Sequence, residues 1–244
     1  MKVAIYGQYY QNSTEPIIND IFVFFNKNNV EMIIESHFLL MLNERKIVEK
    51  KYKTFTSHTE LDSSFDMLIS IGGDGTILRA ATLVRDSGIP ILGINAGRLG
   101  FLASVQKENI ASFMQFVLDK KYTISKRTLL SLTCTPPNES IDAINFAMNE
   151  ITVSRKDTTS MITIDTYLNE EYLNSYWADG LIISTPTGST GYSLSCGGPI
   201  LTPDVKSLVI TPIAPHNLTA RPLVVPDETE IRLKVSGREE YYLV

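Results

Sequence analysis

The apolar positions of this chain change period near its midpoint. Through residues 1 to about 125, short apolar runs alternate with stretches of helical spacing. Lys2–Tyr6 reads as a strand closed by Gly7, and Val30–Glu35 as a second. Between them, Pro16 to about Lys27 has helical spacing, with Ile17, Ile21, Phe24 and Phe25 on one side. Phe38–Val48 reads as another helix. In Asp66–Ile71, the residues Met67, Leu68, Ile69 and Ile71 form a nearly continuous apolar run, the pattern of a strand covered on both faces in a parallel sheet. Thr76–Asp86 returns to helical spacing through Ile77, Ala81 and Val84, with Gly88 at the C-terminal glycine position. Ile89–Ile94 is the next strand. The unit is β-α-β, for which a right-handed crossover is expected. Lys107–Lys121 is an amphipathic helix through Ile110, Phe113, Met114, Val117 and Leu118.

From about residue 126 the helical period largely disappears. Leu129–Thr135, Ile144–Ser154, Met161–Leu168, Tyr172–Trp177, Leu181–Thr185, Ser207–Thr211, Glu230–Val235 and Tyr241–Val244 read as strands, punctuated by Asn, Gly, Pro and Asp. The pattern therefore predicts an α/β domain with a parallel sheet over residues 1–125. A predominantly β domain over 126–244 follows, the boundary falling in Tyr122–Arg127 without a flexible linker. There is no internal repeat and no low-complexity tract.

Composition narrows the class. With 43% hydrophobic and 20% charged residues among 244, the chain is globular rather than disordered. A net charge of −5 and no basic stripe argue against a nucleic-acid-coating protein. Cys134 and Cys196 lie far apart with no CxxC spacing, and His37, His58 and His216 are scattered, so neither a disulfide framework nor a zinc site is expected. Met1–Gly7 is too short for a signal peptide, and no apolar run approaches the roughly 20 residues of a membrane span. A soluble, cytoplasmic protein is expected.

The chemistry concentrates in Gly72-Gly73-Asp74-Gly75-Thr76, between the buried strand and the next helix. Open α/β sheets place ligands beyond the carboxyl ends of their strands. The glycines Gly72, Gly73 and Gly75 let backbone approach a ligand closely, and the helix N-terminus at Thr76 favours an anion, most often phosphate. No GxxxxGK[ST] or GxGxxG occurs, which disfavours a P-loop or a Rossmann dehydrogenase. Asp74 is the informative residue. A carboxylate beside phosphate is repelled, so a task is implied: general base to an attacking hydroxyl, or holding a divalent cation that bridges phosphates. The plain alternative is a helix N-cap. Arg79, one turn on, can reach a phosphate or be a solvated surface arginine.

A second group lies downstream. Asn149-Glu150 interrupts an apolar stretch and wants hydrogen-bonding partners, which ribose hydroxyls and an adenine edge would supply; a β-bulge or a solvent-facing position is the alternative. Trp177-Ala178-Asp179-Gly180 carries a hairpin-turn signal. Thr185-Pro186-Thr187-Gly188-Ser189-Thr190-Gly191-Tyr192-Ser193-Leu194-Ser195 is unusually rich in hydroxyls for a plain loop, and Tyr192 offers a flat face to a base. No GxSxG elbow is present.

Together these residues resemble the NAD kinases. The resemblance rests on Gly72-Gly73-Asp74-Gly75-Thr76, Asn95-Ala96-Gly97-Arg98-Leu99-Gly100-Phe101, Asn149-Glu150, Asp179-Gly180 with Thr185–Ser193, and Pro215-His216 through Arg221-Pro222-Leu223. It implies transfer of the terminal phosphate of ATP, or of polyphosphate, to the 2′-hydroxyl of the adenosine ribose of NAD, with Mg²⁺ or another divalent ion. It implies Asp74 as the catalytic acidic residue, with Gly72, Gly73, Gly75, Thr76 and Arg79 at phosphates. Asn149 and Glu150 would hold ribose and adenine, Phe101 would line the nucleoside pocket, and Thr187 and Thr190 to Ser195 (Gly191, Tyr192, Ser193 and Leu194 among them) would wrap adenosine. Trp177 would bind NAD, and Asp179 would reach its nicotinamide end. No metal ligand is assignable directly. A homodimer or homotetramer, with no membrane or nucleic-acid partner, is implied. Gly191 stands where alanine is common. The chain stops within a strand pattern where family chains continue with more β structure, so a C-terminal truncation is expected. The glycine-aspartate turn also occurs in lipid kinases of the diacylglycerol and sphingosine type, which makes a lipid acceptor the alternative, alongside a non-catalytic dinucleotide sensor.

Overall fold

The computed structural model describes residues 1–8, 14–48, 50–96, 100–103, 105, 110–156, 160–237 and 241–243. Two compact units divide the chain, Met1–Ile124 and Ser125–Val244.

In the first unit, β1 (Lys2–Gly7), α1 (Thr14–Lys27), β2 (Glu31–Glu35), α2 (Ser36–Glu44), β3 (Lys53–Phe55), β4 (Met67–Gly72), α3 (Asp74–Val84), β5 (Ile91–Asn95) and α4 (Ile110–Leu118) follow in order. The strands form a parallel sheet of order β3-β2-β1-β4-β5. Successive residues of a strand point to opposite faces, so a doubly covered strand must be apolar throughout. Val3 and Ile5 pack in one cluster with Ile17 and Phe25 of α1, Phe38 and Leu42 of α2 and Met114 of α4. Ala4 and Tyr6 pack on the other side with Leu68, Ala80, Val84 and Phe65. Helix α1 follows from the same logic: Ile17, Ile18, Ile21, Phe22 and Phe25 make a single buried stripe. Glu35 caps α2, its carboxylate accepting the amides of His37 (3.1 Å) and Phe38 (2.7 Å).

Two local features differ from the pattern. Strand β3 has a single buried side chain, Phe55, which gives it almost no periodic signal. Helix α3 starts at Asp74 and ends at Val84, and its reversal is made by Arg85 at φ +49°; Gly88 takes φ +74° three residues later. The predicted start of α4 at Lys107 and the stretch Gly97-Arg98-Leu99 lie outside the described residues.

The second unit contains β6 (Leu130–Ser131), α5 (Glu139–Ala143), β7 (Phe146–Ala147), β8 (Glu150–Arg155), β9 (Ile162–Leu168), β10 (Glu171–Ala178), β11 (Gly180–Ser184), α6 (Tyr192–Ser195), β12 (Ser207–Ile213), β13 (Leu223–Pro226), β14 (Ile231–Ser236) and β15 (Tyr241–Leu243). One antiparallel sheet has the order β13-β12-β11-β8-β15, a second β10-β9-β14, and β6 pairs with β7. Both larger sheets feed one core: Val153, Leu181, Ile183 and Ile210 from the first, Ile162, Ile164, Tyr176 and Ala178 from the second.

The stretch Ile144–Ser154, expected as one strand, breaks between β7 and β8 at Met148 and Asn149. The Asp179-Gly180 hairpin expectation is corrected. Strand β10 pairs with β9, whereas β11 pairs with β8 and β12, so Asp179 is a corner where the chain passes from one sheet to the other. Val244, the expected end of the last strand, lies outside the described residues. Since Ile69 is fully buried in the interior strand β4, Ile69→Ala should cost about 2–5 kcal/mol, read as a lowered denaturation midpoint with unchanged activity per folded molecule.

Candidate functional site

Strands β1 and β4 are neighbours at the centre of the parallel sheet, but the chain leaves β1 toward β2 and leaves β4 toward β5. Their carboxyl ends therefore mark the topological switch point, where such sheets bind ligands. Gly7 pairs with Ile71, the Gln8 amide donates to the Ile71 carbonyl at 3.0 Å, and the glycine turn begins at the next residue.

Each glycine of the turn has its own reason. A Cβ on Gly72 would lie 2.2 Å from Thr76 Oγ1, and its φ of +158° is one that side chains disfavour. A Cβ on Gly73 or Gly75 would meet nothing within 4 Å. Backbone here faces open space at a helix N-terminus, a fitting berth for phosphate. Thr76 is fully buried, and its hydroxyl donates inward to Gln8 Oε1 at 3.2 Å. Arg79 is exposed on α3, within one and a half turns of its start.

Asp74 is not the cap of α3. Gly73 is the N-cap residue, and Asp74 is the first helical residue. Its carboxylate turns instead to the segment after β5. Oδ2 accepts the Phe101 amide at 2.7 Å, and Oδ1 accepts those of Leu102 (3.0 Å) and Ala103 (3.3 Å). Gly100 makes this possible: a Cβ there would sit 2.3–2.5 Å from the carboxylate atoms. Three backbone donors fix the orientation of one charged group, and beside it the Phe101 ring stands 75% exposed.

In the second unit the break at Met148-Asn149 places the predicted pair. The Asn149 carbonyl accepts the Thr185 amide at 2.8 Å, and Thr185 Oγ1 donates to the Met148 carbonyl at 2.6 Å. Gly188 packs onto Asn149 so closely that a Cβ would lie 2.2 Å from its carbonyl oxygen. Beside Gly191, a Cβ would lie 3.4 Å from Glu150 Oε2 and 3.9 Å from Asn149 Nδ2. The amide and the carboxylate thus converge on the hydroxyl-rich segment. Glu150 Oε2 is buried and has no hydrogen-bond partner, and burial pushes the Glu150 carboxyl above the usual carboxylate range.

Several hydroxyls of Thr185–Ser195 hold the segment itself. Ser189 Oγ donates to the Pro186 carbonyl (2.7 Å) and accepts the Leu201 amide (2.9 Å). Ser193, fully buried, bonds Thr211 Oγ1 at 2.9 Å, and Thr187 is buried as well. Thr190 donates weakly to the Thr187 carbonyl at 3.5 Å. The side chains left toward solvent are Tyr192 (46% exposed), Leu194 and Ser195. Burial raises the Tyr192 hydroxyl pKa, and the neighbouring Cys196 and Asp179 charges raise it further. Trp177 is 51% exposed and stacks on His216, with centroids 4.4 Å apart. Asp179 is joined to Arg155 at 3.0 Å.

In the motif reading Gly100 stands in Asn95–Phe101 with no role of its own, and Arg155 is not singled out: Gly100 acts through a missing side chain and Arg155 through a neighbouring strand.

A buried carboxylate without a donor destabilises the fold once ionised. Because the folded pKa of Glu150 is raised, its ionised form is disfavoured in the native state. Stability linked to this group is complete below the ordinary carboxylate range and is lost as pH rises through the raised value. Glu150→Gln should therefore raise the melting temperature at pH 7 relative to the parent, and the gain should vanish at low pH, where Glu150 is protonated in both states. Paired thermal melts at the two pH values check this.

Comparison with known proteins agrees across both units. A family model for the ATP-NAD kinase N-terminal domain matches residues 5–122, and one for the ATP-NAD kinase C-terminal domain matches residues 148–244. The NAD kinase of Flavobacterium johnsoniae is 77% identical over 244 residues, covering 100% of this chain and 83% of that protein. Among solved structures, yeast NADH kinase complexed with NADH superposes with a TM-score of 0.84 at 27% identity, over 100% of this chain and 74% of that one. An NAD kinase from Archaeoglobus fulgidus in complex with ATP gives 0.75 at 26% identity, over 100% and 83%. With the glycine-aspartate turn at the switch point and the Asn-Glu pair against the hydroxyl-rich segment, the chain belongs to the NAD kinase family.

Proposed function

We propose that this chain transfers the terminal phosphate of ATP to the 2′-hydroxyl of the adenosine ribose of NAD, giving NADP and ADP. The observation that carries the chemistry is the oriented Asp74 carboxylate on a phosphate-accepting glycine turn. Asp74 accepts the 2′-hydroxyl proton as the ribose oxygen bonds to the terminal phosphorus; the bond to the ADP oxygen breaks, and ADP leaves. Amides of Gly73 and Gly75 and the start of α3 face the phosphates, and Arg79 adds a positive charge. Asn149 and Glu150 hold the ribose and adenine: the buried Glu150 oxygen lacks a donor, and a ribose hydroxyl is one. Phe101 and Tyr192 offer exposed faces to the base, and Asp179 and Trp177 serve the nicotinamide end. Positioning and electrostatics supply most of the rate in phosphoryl transfer.

A divalent cation, Mg²⁺ in our reading, enters with the phosphates of ATP as part of the substrate. The working state in this reading is a cytoplasmic homodimer or homotetramer. Unpaired Cys134 and Cys196 support the first part. The exposed Tyr172 and Trp177 on edge strand β10 support the second. Membership of this family speaks against the lipid acceptor that the turn alone leaves open.

Incubating the protein with NAD, ATP and Mg²⁺ should yield NADP, measured with an NADP-specific dehydrogenase; a folded protein that makes none overturns the reading and leaves a sensor. Asp74→Asn should lower kcat by about 10²–10⁴ while the NAD Kd changes little. Full activity in that variant would remove Asp74 as the base.

A further inference from the structure

We infer that Arg155 is a positioning residue, holding the Asp179 carboxylate in the orientation that binds the dinucleotide. The inference rests on the reading that Asp179 contacts NAD. The backbone of Asp179 is fixed from two sides of the sheet: its amide donates to the Ile213 carbonyl at 3.0 Å, and its carbonyl accepts the Arg155 amide at 2.9 Å. The next residue is equally confined, since a Cβ on Gly180 would lie 2.4 Å from the Val153 carbonyl oxygen. At a corner between two sheets, backbone alone does not choose a rotamer for the side chain. Arg155 does: its Nη2 lies 3.0 Å from Asp179 Oδ2.

The pair differs from an ordinary surface ion pair. The two side chains are 26% and 27% exposed, whereas Lys53 and Glu31, paired on the first unit's sheet, are 75% and 47% exposed. Screening by water is correspondingly weaker and the contact more directive. The carboxylate lies near enough to Tyr192, in the hydroxyl-rich segment, for its charge to be felt there. Two consequences follow for a ligand carrying a pyrophosphate. Arg155 offsets a negative charge that would otherwise repel it, and it leaves Asp179 Oδ1, which takes no hydrogen bond among the described residues, to receive a donor. Arg155 acts on affinity through Asp179 and takes no part in phosphoryl transfer.

Steady-state kinetics on the parent, Arg155→Ala, Arg155→Lys, Asp179→Ala and the Arg155→Ala/Asp179→Ala double variant test this, each variant checked by thermal melting. Arg155→Ala should raise the KM for NAD on the order of ten-fold, the loss carried by a charge-assisted contact, with kcat within about two-fold. Lysine keeps the charge without the planar fork, so Arg155→Lys should recover part of the affinity. In the Asp179→Ala background, Arg155→Ala should add nothing. If Asp179→Ala raises KM while Arg155→Ala does not, the inference falls and the reading of Asp179 stands. An additive double variant also overturns it, showing that Arg155 touches the ligand itself. If Asp179→Ala leaves KM unchanged, the reading of Asp179 fails and takes the inference with it. Should Arg155→Ala not fold, Arg155→Gln carries the same comparison.

Discussion

The N-terminal unit depends on the parallel pairing of β1 with β4. Val3 to Gly7 run beside Met67 to Ile71, and the chain departs from these two strands in opposite directions. The turn after β4 is thereby placed at the one crevice where a parallel sheet leaves backbone amides uncovered. Side chains on both faces, from Val3 and Ile5 to Leu68 and Ile69, are fully buried. A close-packed interior transmits small displacements rather than absorbing them. The carboxylate of Asp74 inherits that rigidity through α3, and its three amide donors close the arrangement from the β5 side.

The second unit solves a different problem. Its sheets are antiparallel, so strands end in turns rather than crevices, and the regular pairing is interrupted by the break between β7 and β8. The Asn149 carbonyl is spent on the Thr185 amide, Gly188 packs against the same residue, and the side chains of Asn149 and Glu150 are presented beside Gly191. The buried hydroxyls of Ser189 and Ser193 keep this surface in shape, which assigns part of the hydroxyl-rich segment to architecture and leaves Tyr192 and Leu194 exposed.

Much of this was legible in the sequence wherever a signal was local. The continuous apolar run of β4 and the period-breaking glycines after it mark a buried strand and the turn into α3. The alternation in the second half marks antiparallel sheets. What could not be read is of three kinds. Strand β3 buries only Phe55, too little to leave a period. Asp179-Gly180 has the chemistry of a tight turn, yet the partners of the flanking strands lie far along the chain, and tertiary pairing overrides the local preference. The donors that hold Asp74 are main-chain amides some 27 residues away, which any residue type could provide. Only the glycine at position 100 betrays them, and only once a missing Cβ is measured against the carboxylate.

The unpartnered oxygen of Glu150 has a consequence for discrimination between ligands. The fold already keeps that oxygen from water, with Gly191 beside it. A ligand that brings a hydroxyl to that oxygen recovers a cost the fold has already met. One that lacks the hydroxyl buries the same surface and recovers nothing. Sites arranged in this way reject a missing donor far more strongly than a missing methylene, so selectivity for a ribose over its deoxy counterpart would come from relieving this buried oxygen rather than from any extra attraction.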